Sequence, residues 1–181
     1  MQLLKVNLGC QIHHFDGWIN QDIVADDKDY HLEWICDANQ LPTGDNTVDF
    51  MYAGHLVEHF YPDTIEQYVR EWYRVMKPGG RLFVVTPDFG RCAKLYAQGT
   101  LKMEDLFQQA FGRIYHYDRP EERHHILYDD AVLLQYMCIA PWSSATKVDM
   151  QNPSDIPLEV REFMGTHISA GDLQLAYLFT K

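Results

Sequence analysis

The feature that most constrains the fold of this chain is a glycine placed between two short apolar runs. The first run, residues 3–8, ends at Gly9, and the second, residues 18–23, carries the carboxylate Asp22 near its end. Open α/β sheets bind nucleosides with this arrangement, because the glycine lets the backbone approach the ligand and the acid accepts hydrogen bonds from ribose hydroxyls. A single glycine after a strand also marks many ordinary turns, so the rest of the chain decides between the two interpretations.

Later apolar runs also predict strands, and polar residues follow several of them. The segment between Gly9 and Asp22 is too short for a full crossover helix, which predicts an abbreviated first βα unit. Open α/β sheets place their ligands at the carboxyl ends of the strands, so these polar residues mark a candidate binding edge. The additional strands are predicted at residues 33–37, 48–53 and 81–86.

Helical spacing of apolar residues occurs in two segments. Asp63 and Glu66 have the spacing of a capping box, and the amphipathic helix that follows them ends at residues 77–80. A second stripe lies between residues 103 and 114, and we interpret both stripes as core. The first consists of Ile65, Tyr68, Val69, Trp72, Tyr73 and Met76, and the second of Met103, Leu106, Phe107, Ala110, Phe111 and Ile114.

The C-terminal third predicts one helix and two strands. Asp129 or Asp130 can cap the helix, and the strands are expected at residues 147–150 and 173–179. Residues 151–171 contain prolines and glycines and predict a long, partly irregular connection.

Composition narrows the class of protein. A length of 181 residues with 46% hydrophobic content predicts one domain with a single core. The net charge of −11 disfavours nucleic acid as a partner, because phosphates are repelled at long range. No apolar run approaches the length of a membrane span, and the sequence begins without a signal-like segment. The four cysteines lack metal-ligand spacing, and we therefore expect reduced thiols in a cytoplasmic protein.

Residues 91–128 predict an insertion that folds over the ligand edge as a lid. Its tyrosines and histidines could form an acceptor pocket, or the lid could simply pack on its own aromatic residues. Exposed aromatics in an acidic protein also suggest a homodimer interface in this region. The residues concerned are Tyr96, Tyr115, His116, Tyr117, His124, His125 and Tyr128.

A second cluster of polar residues follows the strand at residues 48–53. His55, Glu58 and His59 fall on one face if the segment is helical, and two imidazoles with a carboxylate can form half of a divalent-metal site. The pair His124 and His125 could complete that site. Two other roles remain open, namely a general base on one histidine or a purely structural buttress at the sheet edge.

The order of motifs resembles the class I S-adenosylmethionine-dependent methyltransferases, and it looks most like the small type 11 group. The resemblance covers roughly residues 3–90 and is specific for fold and cofactor but not for the methyl acceptor. It implies a Rossmann-like α/β fold, in which one methyltransferase-like domain over residues 1–181 has a mostly parallel sheet with an antiparallel last strand. The motifs are residues 6–10, residues 17–22, Asp37 to Pro42, residues 45–49, residues 55–60 and residues 74–82.

The resemblance also implies positions for the cofactor. Gly9 and its neighbours would lie under the methionine part, Asp22 would accept from the ribose hydroxyls, and Asp37 with Ala38 would lie beside the adenine. Gln11 departs from the family, because a second loop glycine is usual at that position. The remaining cofactor candidates are Asn7, Leu8, Cys10 and Tyr52.

We therefore expect a methyltransferase that acts on a small molecule and uses a hydroxyl acceptor. The methyl sulfonium is already activated, so a base is needed only for an acceptor that must lose a proton. His55, His59 and His125 are the candidate catalytic residues on the acceptor side. The alternatives are a cofactor-degrading or otherwise non-transferring enzyme on the same scaffold and a non-catalytic binding module.

Overall fold

The computed structural model contains one seven-stranded sheet and five α-helices within the residues that it describes. Those residues are 3–23, 32–112, 122–167 and 173–181. The strands are β1 (Lys5–Leu8), β2 (Ile19–Asp22), β3 (Trp34–Ile35), β4 (Val48–Gly54), β5 (Met76–Pro87), β6 (Ser144–Lys147) and β7 (Gln174–Thr180). The helices are α1 (Ile65–Val75), α2 (Phe89–Ala97), α3 (Met103–Phe111), α4 (Asp130–Met137) and α5 (Leu158–His167), and a 3₁₀ turn spans Val57–His59.

The strand order is β3-β2-β1-β4-β5-β7-β6, with β7 antiparallel to both of its neighbours and the strands from β3 to β5 parallel. This confirms the predicted mostly parallel sheet with an antiparallel last strand. Residues 9–18 contain turns and no helix, which confirms the abbreviated first βα unit. Among the described residues, no helix is both long and apolar enough to cross a bilayer.

Alternate residues of β5 contribute to two separate cores, because successive side chains of a strand point to opposite faces of a sheet. Leu82 and Val84 pack with α1 and α4 on one face. Phe83 and Val85 pack with α5 on the other. Trp72 of α1 is fully buried, which confirms that the first apolar stripe is core. The two covered faces leave only the edges of the sheet open to a ligand.

The start of α1 differs from the predicted capping box. Thr64 is the N-cap residue, and its side chain makes no capping hydrogen bond. Its hydroxyl donates instead to the Tyr61 carbonyl oxygen at 3.1 Å. Because the helix begins one residue later than a cap at Asp63 requires, Glu66 is only its second residue and pairs with Arg70 one turn onward.

The second apolar stripe is not core, contrary to the prediction. In α3 only Ala110 is buried, whereas Met103, Phe107 and Phe111 are 52%, 37% and 46% exposed. Leu106 is half-buried. The physical reason is that α3 packs mainly against α2. Ile114, the last residue of the stripe, and three of the aromatic lid residues, Tyr115, His116 and Tyr117, lie outside the described part of the chain.

The C-terminal elements confirm the predicted helix and the last strand and correct two boundaries. Asp129 caps α4 by accepting a 2.9 Å hydrogen bond from the Val132 N–H. The strand expected at residues 147–150 is β6, which already ends at Lys147, where its pairing with β7 stops. Part of the expected irregular connection is α5, because its buried Val160 and Met164 cover one face of the sheet.

Candidate active site

A cavity of about 810 Å³ opens at the edge of the sheet where the parallel strands end. Gly9 follows β1, Asp22 ends β2, Gly54 ends β4 and Pro87 ends β5, and all four line the cavity. The chain turns in opposite directions from β1 and β4, which are neighbours in the sheet, and ligands of open α/β sheets bind at such a switch point. The predicted binding edge therefore contains a cavity of the size that small molecules occupy.

Buried amides hold the loop that follows β1. Asn7 donates from Nδ2 to the His13 carbonyl oxygen at 2.8 Å and to Asn20 Oδ1 at 3.1 Å. Asn20 Oδ1 also accepts from the Phe15 N–H at 2.9 Å. Asn7 and Leu8 are buried and do not line the cavity, so their part is to fix the loop that does.

Gly9 brings the backbone close to a neighbouring side chain at the entrance of this loop. Its φ of 58° lies in the left-handed region, and a Cβ at this position would come within 2.7 Å of Leu56 Cδ1. Cys10 lines the cavity beside it, and burial raises the pKa of its thiol to about 12. The loop thus presents backbone and a neutral thiol to a ligand.

The end of β4 contributes a hydroxyl that the described residues do not satisfy. Tyr52 is 3% exposed and lines the cavity, and its hydroxyl has no hydrogen-bond partner within the described ranges. A Cβ on Gly54 would overlap that hydroxyl. Burial, reinforced by the charge of Glu58, raises the pKa of Tyr52, so the group remains a donor. A buried, unsatisfied donor beside a glycine fits a polar ligand in the cavity.

Gln11 and Asp22 close the loop onto β2. The Gln11 N–H donates to Asp22 Oδ2 at 2.8 Å, and the Ile23 N–H donates to Oδ1 at 2.7 Å. Gln11 holds a φ of 44°, a left-handed conformation that glycine adopts without strain. Asp22 lines the cavity, and a carboxylate is an acceptor that ribose hydroxyls can use.

Asp37 and Ala38 do not line the cavity. Asp37 accepts from the Asn39 N–H at 3.2 Å and from the Tyr68 hydroxyl at 3.4 Å. Tyr68 does line the cavity, and its ring stacks on Phe60 with centroids 3.8 Å apart. Burial and the Asp37 charge raise the pKa of Tyr68 to about 12. Sequence periodicity alone indicated core for Tyr68, because it repeats with the buried residues of α1.

His55, Glu58 and Thr86 form a hydrogen-bonded chain beside the cavity. Glu58 is 1% exposed and accepts from His55 Nδ1 at 3.1 Å and from Thr86 Oγ1 at 2.9 Å. Burial would raise the pKa of Glu58, but the His55 hydrogen bond and the charges of His55, His59 and His124 lower it to about 2. The carboxylate is therefore ionised, and only the ring of His55 reaches the cavity.

The segment after β4 is a 3₁₀ turn and not a helix that includes His55, which has a φ of 53°. His55 and Glu58 still meet, whereas His59 turns toward His124, with ring centroids 5.0 Å apart. His59 Nδ1 donates to the Arg123 carbonyl oxygen at 3.1 Å. The three residues thus share one region without sharing a helical face.

His124 and His125 separate in the structure. His124 donates from Nδ1 to the Gln109 carbonyl oxygen at 3.0 Å and lies beside His59. His125 stacks on Tyr61 with centroids 4.0 Å apart. Burial lowers the pKa of both imidazoles, and a protonated His59 lowers it further, whereas the Glu58 carboxylate raises the pKa of His124. Burial therefore favours the neutral form of both rings.

The structure places most of the predicted residues around one cavity. Thr86 and Tyr61 were not predicted. Thr86 joins the site by its hydrogen bond to Glu58, and Tyr61 by stacking on His125, and both partners are distant in sequence. No local pattern marks such pairs. The predicted residues that line the cavity are Gly9, Cys10, Asp22, Tyr52, His55, His59 and His125.

Comparisons with known proteins agree with this arrangement. Residues 2–84 match the methyltransferase domain family of type 11. A ubiquinone/menaquinone biosynthesis C-methyltransferase from Desulfotalea psychrophila is 43% identical over 51 residues, which are 28% of this chain and 20% of that protein. The match therefore spans only a fifth of that relative's length.

Two solved structures share the fold at low sequence identity. An S-adenosylmethionine-dependent methyltransferase from Archaeoglobus fulgidus is 15% identical with a TM-score of 0.57, and the alignment covers 99% of this chain and 86% of the other. The 1,6-didemethyltoxoflavin-N1-methyltransferase of Burkholderia thailandensis, solved with its substrate and S-adenosylhomocysteine, is 11% identical with a TM-score of 0.58 and coverages of 98% and 70%. Residues 2–84, a little under half of the chain, are therefore similar to the methyltransferase domain family of type 11, and the chain shares its fold with solved methyltransferases.

Proposed function

We propose that the protein transfers a methyl group from S-adenosylmethionine to a hydroxyl of a small molecule. The observation that carries this proposal is that two chemically different sets of residues line one cavity. One set is Gly9, Asp22 and Tyr52, and the other is His55 and His125. We assign the first set to a nucleoside-sulfonium cofactor and the second, which we call the acceptor end, to a hydroxyl acceptor.

The residues of the first set fit the cofactor on chemical grounds. Asp22 places a carboxylate, an acceptor for ribose hydroxyls, on the cavity, and the Tyr52 hydroxyl offers an unsatisfied donor among the described residues. Gly9 leaves its backbone accessible where a side chain would meet Leu56. The Burkholderia thailandensis neighbour, whose structure holds S-adenosylhomocysteine, supports the same cofactor class.

A small acceptor is supported by the size and lining of the cavity. A volume of about 810 Å³ lies within the range of small-molecule sites. The stacked pair Tyr61 and His125 forms an aromatic wall on which a planar or apolar acceptor can lie. A net charge of −11 disfavours a polyanionic acceptor such as nucleic acid.

His55 is suited to take the proton of the acceptor hydroxyl. Its Nδ1–H donates to the ionised Glu58, which leaves Nε2 as the ring atom that can take a proton. Thr86 fixes the other oxygen of Glu58, which holds the imidazole in one orientation. When bound, S-adenosylmethionine would supply an electrophilic methyl group, with S-adenosylhomocysteine as the leaving group. His55 Nε2 would accept the proton that the acceptor hydroxyl loses.

The proposal is tested by incubating the protein with S-adenosylmethionine and a panel of small hydroxyl compounds. Mass spectrometry then measures S-adenosylhomocysteine and methylated acceptor in equal amounts if the proposal holds. Cleavage of the cofactor to other products without an acceptor would instead identify a degrading enzyme. Binding of S-adenosylmethionine with no turnover across the panel would favour a non-catalytic binding module, for which the strained Gln11 in the cofactor loop is the structural argument.

A further inference from the structure

We propose that Glu58, His59 and His124 bind a divalent transition-metal ion at the acceptor end of the cavity. One candidate ligand atom from each residue lies within 4.8 Å of the other two. The sequence suggested His55, Glu58 and His59, with the pair His124 and His125 able to complete the site. His55 belongs to the hydrogen-bonded support of Glu58, and of the distant pair it is His124 that joins Glu58 and His59.

The two imidazoles are oriented as metal-binding histidines are. His59 Nδ1 faces the Arg123 carbonyl oxygen, and His124 Nδ1 faces the Gln109 carbonyl oxygen. A carbonyl oxygen can only accept, so Nδ1 carries the proton in both rings. The lone pair therefore lies on Nε2 of each, and the carbonyls fix the ring orientation as outer partners of metal ligands do.

Glu58 supplies an anionic ligand that is already held in place. Its oxygens each accept one hydrogen bond, from His55 and from Thr86, and each keeps a second lone pair. Burial of a carboxylate costs free energy that hydrogen bonds and a positive charge offset. A cation coordinated by Glu58 would supply that charge without breaking either hydrogen bond.

The site has room for an ion and needs only a small contraction. Ligand atoms about 2.1 Å from an ion lie about 3.4 Å apart in tetrahedral geometry, so each atom would move inward by less than about 1 Å. Gly112 leaves the space near one ligand open, because a Cβ there would fall 2.9 Å from His124 Nε2. Any side chain at residue 112 would therefore crowd this ring.

Two imidazoles and one carboxylate favour Zn²⁺, Mn²⁺, Fe²⁺ or Co²⁺ over Mg²⁺ and Ca²⁺, which prefer oxygen ligands. Three protein ligands leave coordination positions open, and His59 and His124 both line the cavity. A hydroxyl acceptor bound at an open position would lose its proton more readily. This last role rests on the proposed function, whereas metal binding itself does not.

The experiment is a titration of Co²⁺ into chelator-treated protein without an affinity tag. The expected result is saturable visible absorption at one Co²⁺ per chain and loss of at least about 100-fold in affinity for His59→Asn and His124→Asn. His14→Asn is the matched control, since this exposed-loop histidine lies outside the cluster, and its affinity should stay within twofold. Equal affinity in all variants, or no saturable signal in the wild type, would overturn the proposal.

Calorimetric titration of S-adenosylmethionine into the same proteins separates this inference from the proposed function. If His124→Asn binds S-adenosylmethionine with the affinity of the wild type, the variant is folded and its cofactor site is intact. Metal binding that fails while cofactor binding persists would reject only the metal site. Metal binding by a wild-type protein that does not bind S-adenosylmethionine would support the metal site while the proposed function fails.

Discussion

The backbone N–H of Gln11 donates a 2.8 Å hydrogen bond to Asp22 Oδ2, which joins the loop after β1 to the end of β2. This bond exists because Gln11 adopts a φ of 44° that turns its N–H toward the carboxylate. The Asp22 carboxylate thus positions the loop after β1 and is itself a candidate cofactor ligand. Replacement of Gln11 should therefore change stability, whereas replacement of Asp22 should change the affinity for the cofactor.

Gln11→Gly should stabilise the protein by about 1 kcal/mol, because glycine adopts the left-handed conformation without the strain of a Cβ. Gln11→Ala is the control, since it removes the side chain but keeps the strain. Urea denaturation followed by fluorescence measures both. Equal free energies of unfolding for the two variants would show that residue 11 is not strained.

Asp22→Asn should weaken binding of S-adenosylmethionine by about 10- to 100-fold, since two ribose hydroxyls would lose an ionised acceptor. The amide oxygen can still accept from Gln11, so the fold should persist. Asp63→Asn, an exposed residue outside the cavity, is the matched control. Isothermal titration calorimetry of both variants with S-adenosylmethionine measures the difference. Similar dissociation constants would show that Asp22 does not bind the cofactor.

His55→Gln should lower kcat by about 100-fold or more and leave the dissociation constant of S-adenosylmethionine within threefold. The physical reason is that His55 faces the acceptor end, where a glutamine can occupy the space but cannot take a proton at neutral pH. Single-turnover rates with a hydroxyl acceptor measure the effect. Unchanged kcat would assign His55 a structural role beside Glu58.

Asp49→Asn should destabilise the protein at neutral pH by about 0.5 to 1 kcal/mol, and the effect should shrink in acid. The Lys77 hydrogen bond lowers the pKa of Asp49 below the ordinary aspartate value of 3.8, assisted by the Leu4 N–H. A lowered folded-state pKa means that the stabilisation is present above pH 3.8 and is lost as the pH falls through the folded-state pKa. Urea denaturation of both proteins at pH 7 and pH 2.5 measures it, and an equal difference at both values would contradict the account.

The sequence predicted the parts of the site that depend on short-range patterns. The turn at Gly9 and the carboxylate of Asp22 follow strands that the chain order brings side by side in the sheet. The contact between His55 and Glu58 also survives the change from a predicted helix to a 3₁₀ turn, because three residues of spacing keep the side chains close.

Features set by distant contacts could not be predicted in the same way. His124 joins Glu58 and His59 across more than sixty positions, and nothing local to His124 distinguishes it from His125. The stripe in α3 has core-like spacing, yet Phe107 remains 37% exposed because the helix packs against α2. Apolar periodicity identifies a helix face but does not specify the surface that it meets.

The most direct test of the account is calorimetric titration of S-adenosylmethionine into the wild-type protein. We predict one site per chain with a dissociation constant in the micromolar range, equivalent to about −8 kcal/mol. Asp22→Asn should lose most of that affinity, whereas Asp63→Asn should retain it. Absence of binding by the folded wild-type protein would contradict the central claim that the cavity at the ends of β1, β2 and β4 is a cofactor site.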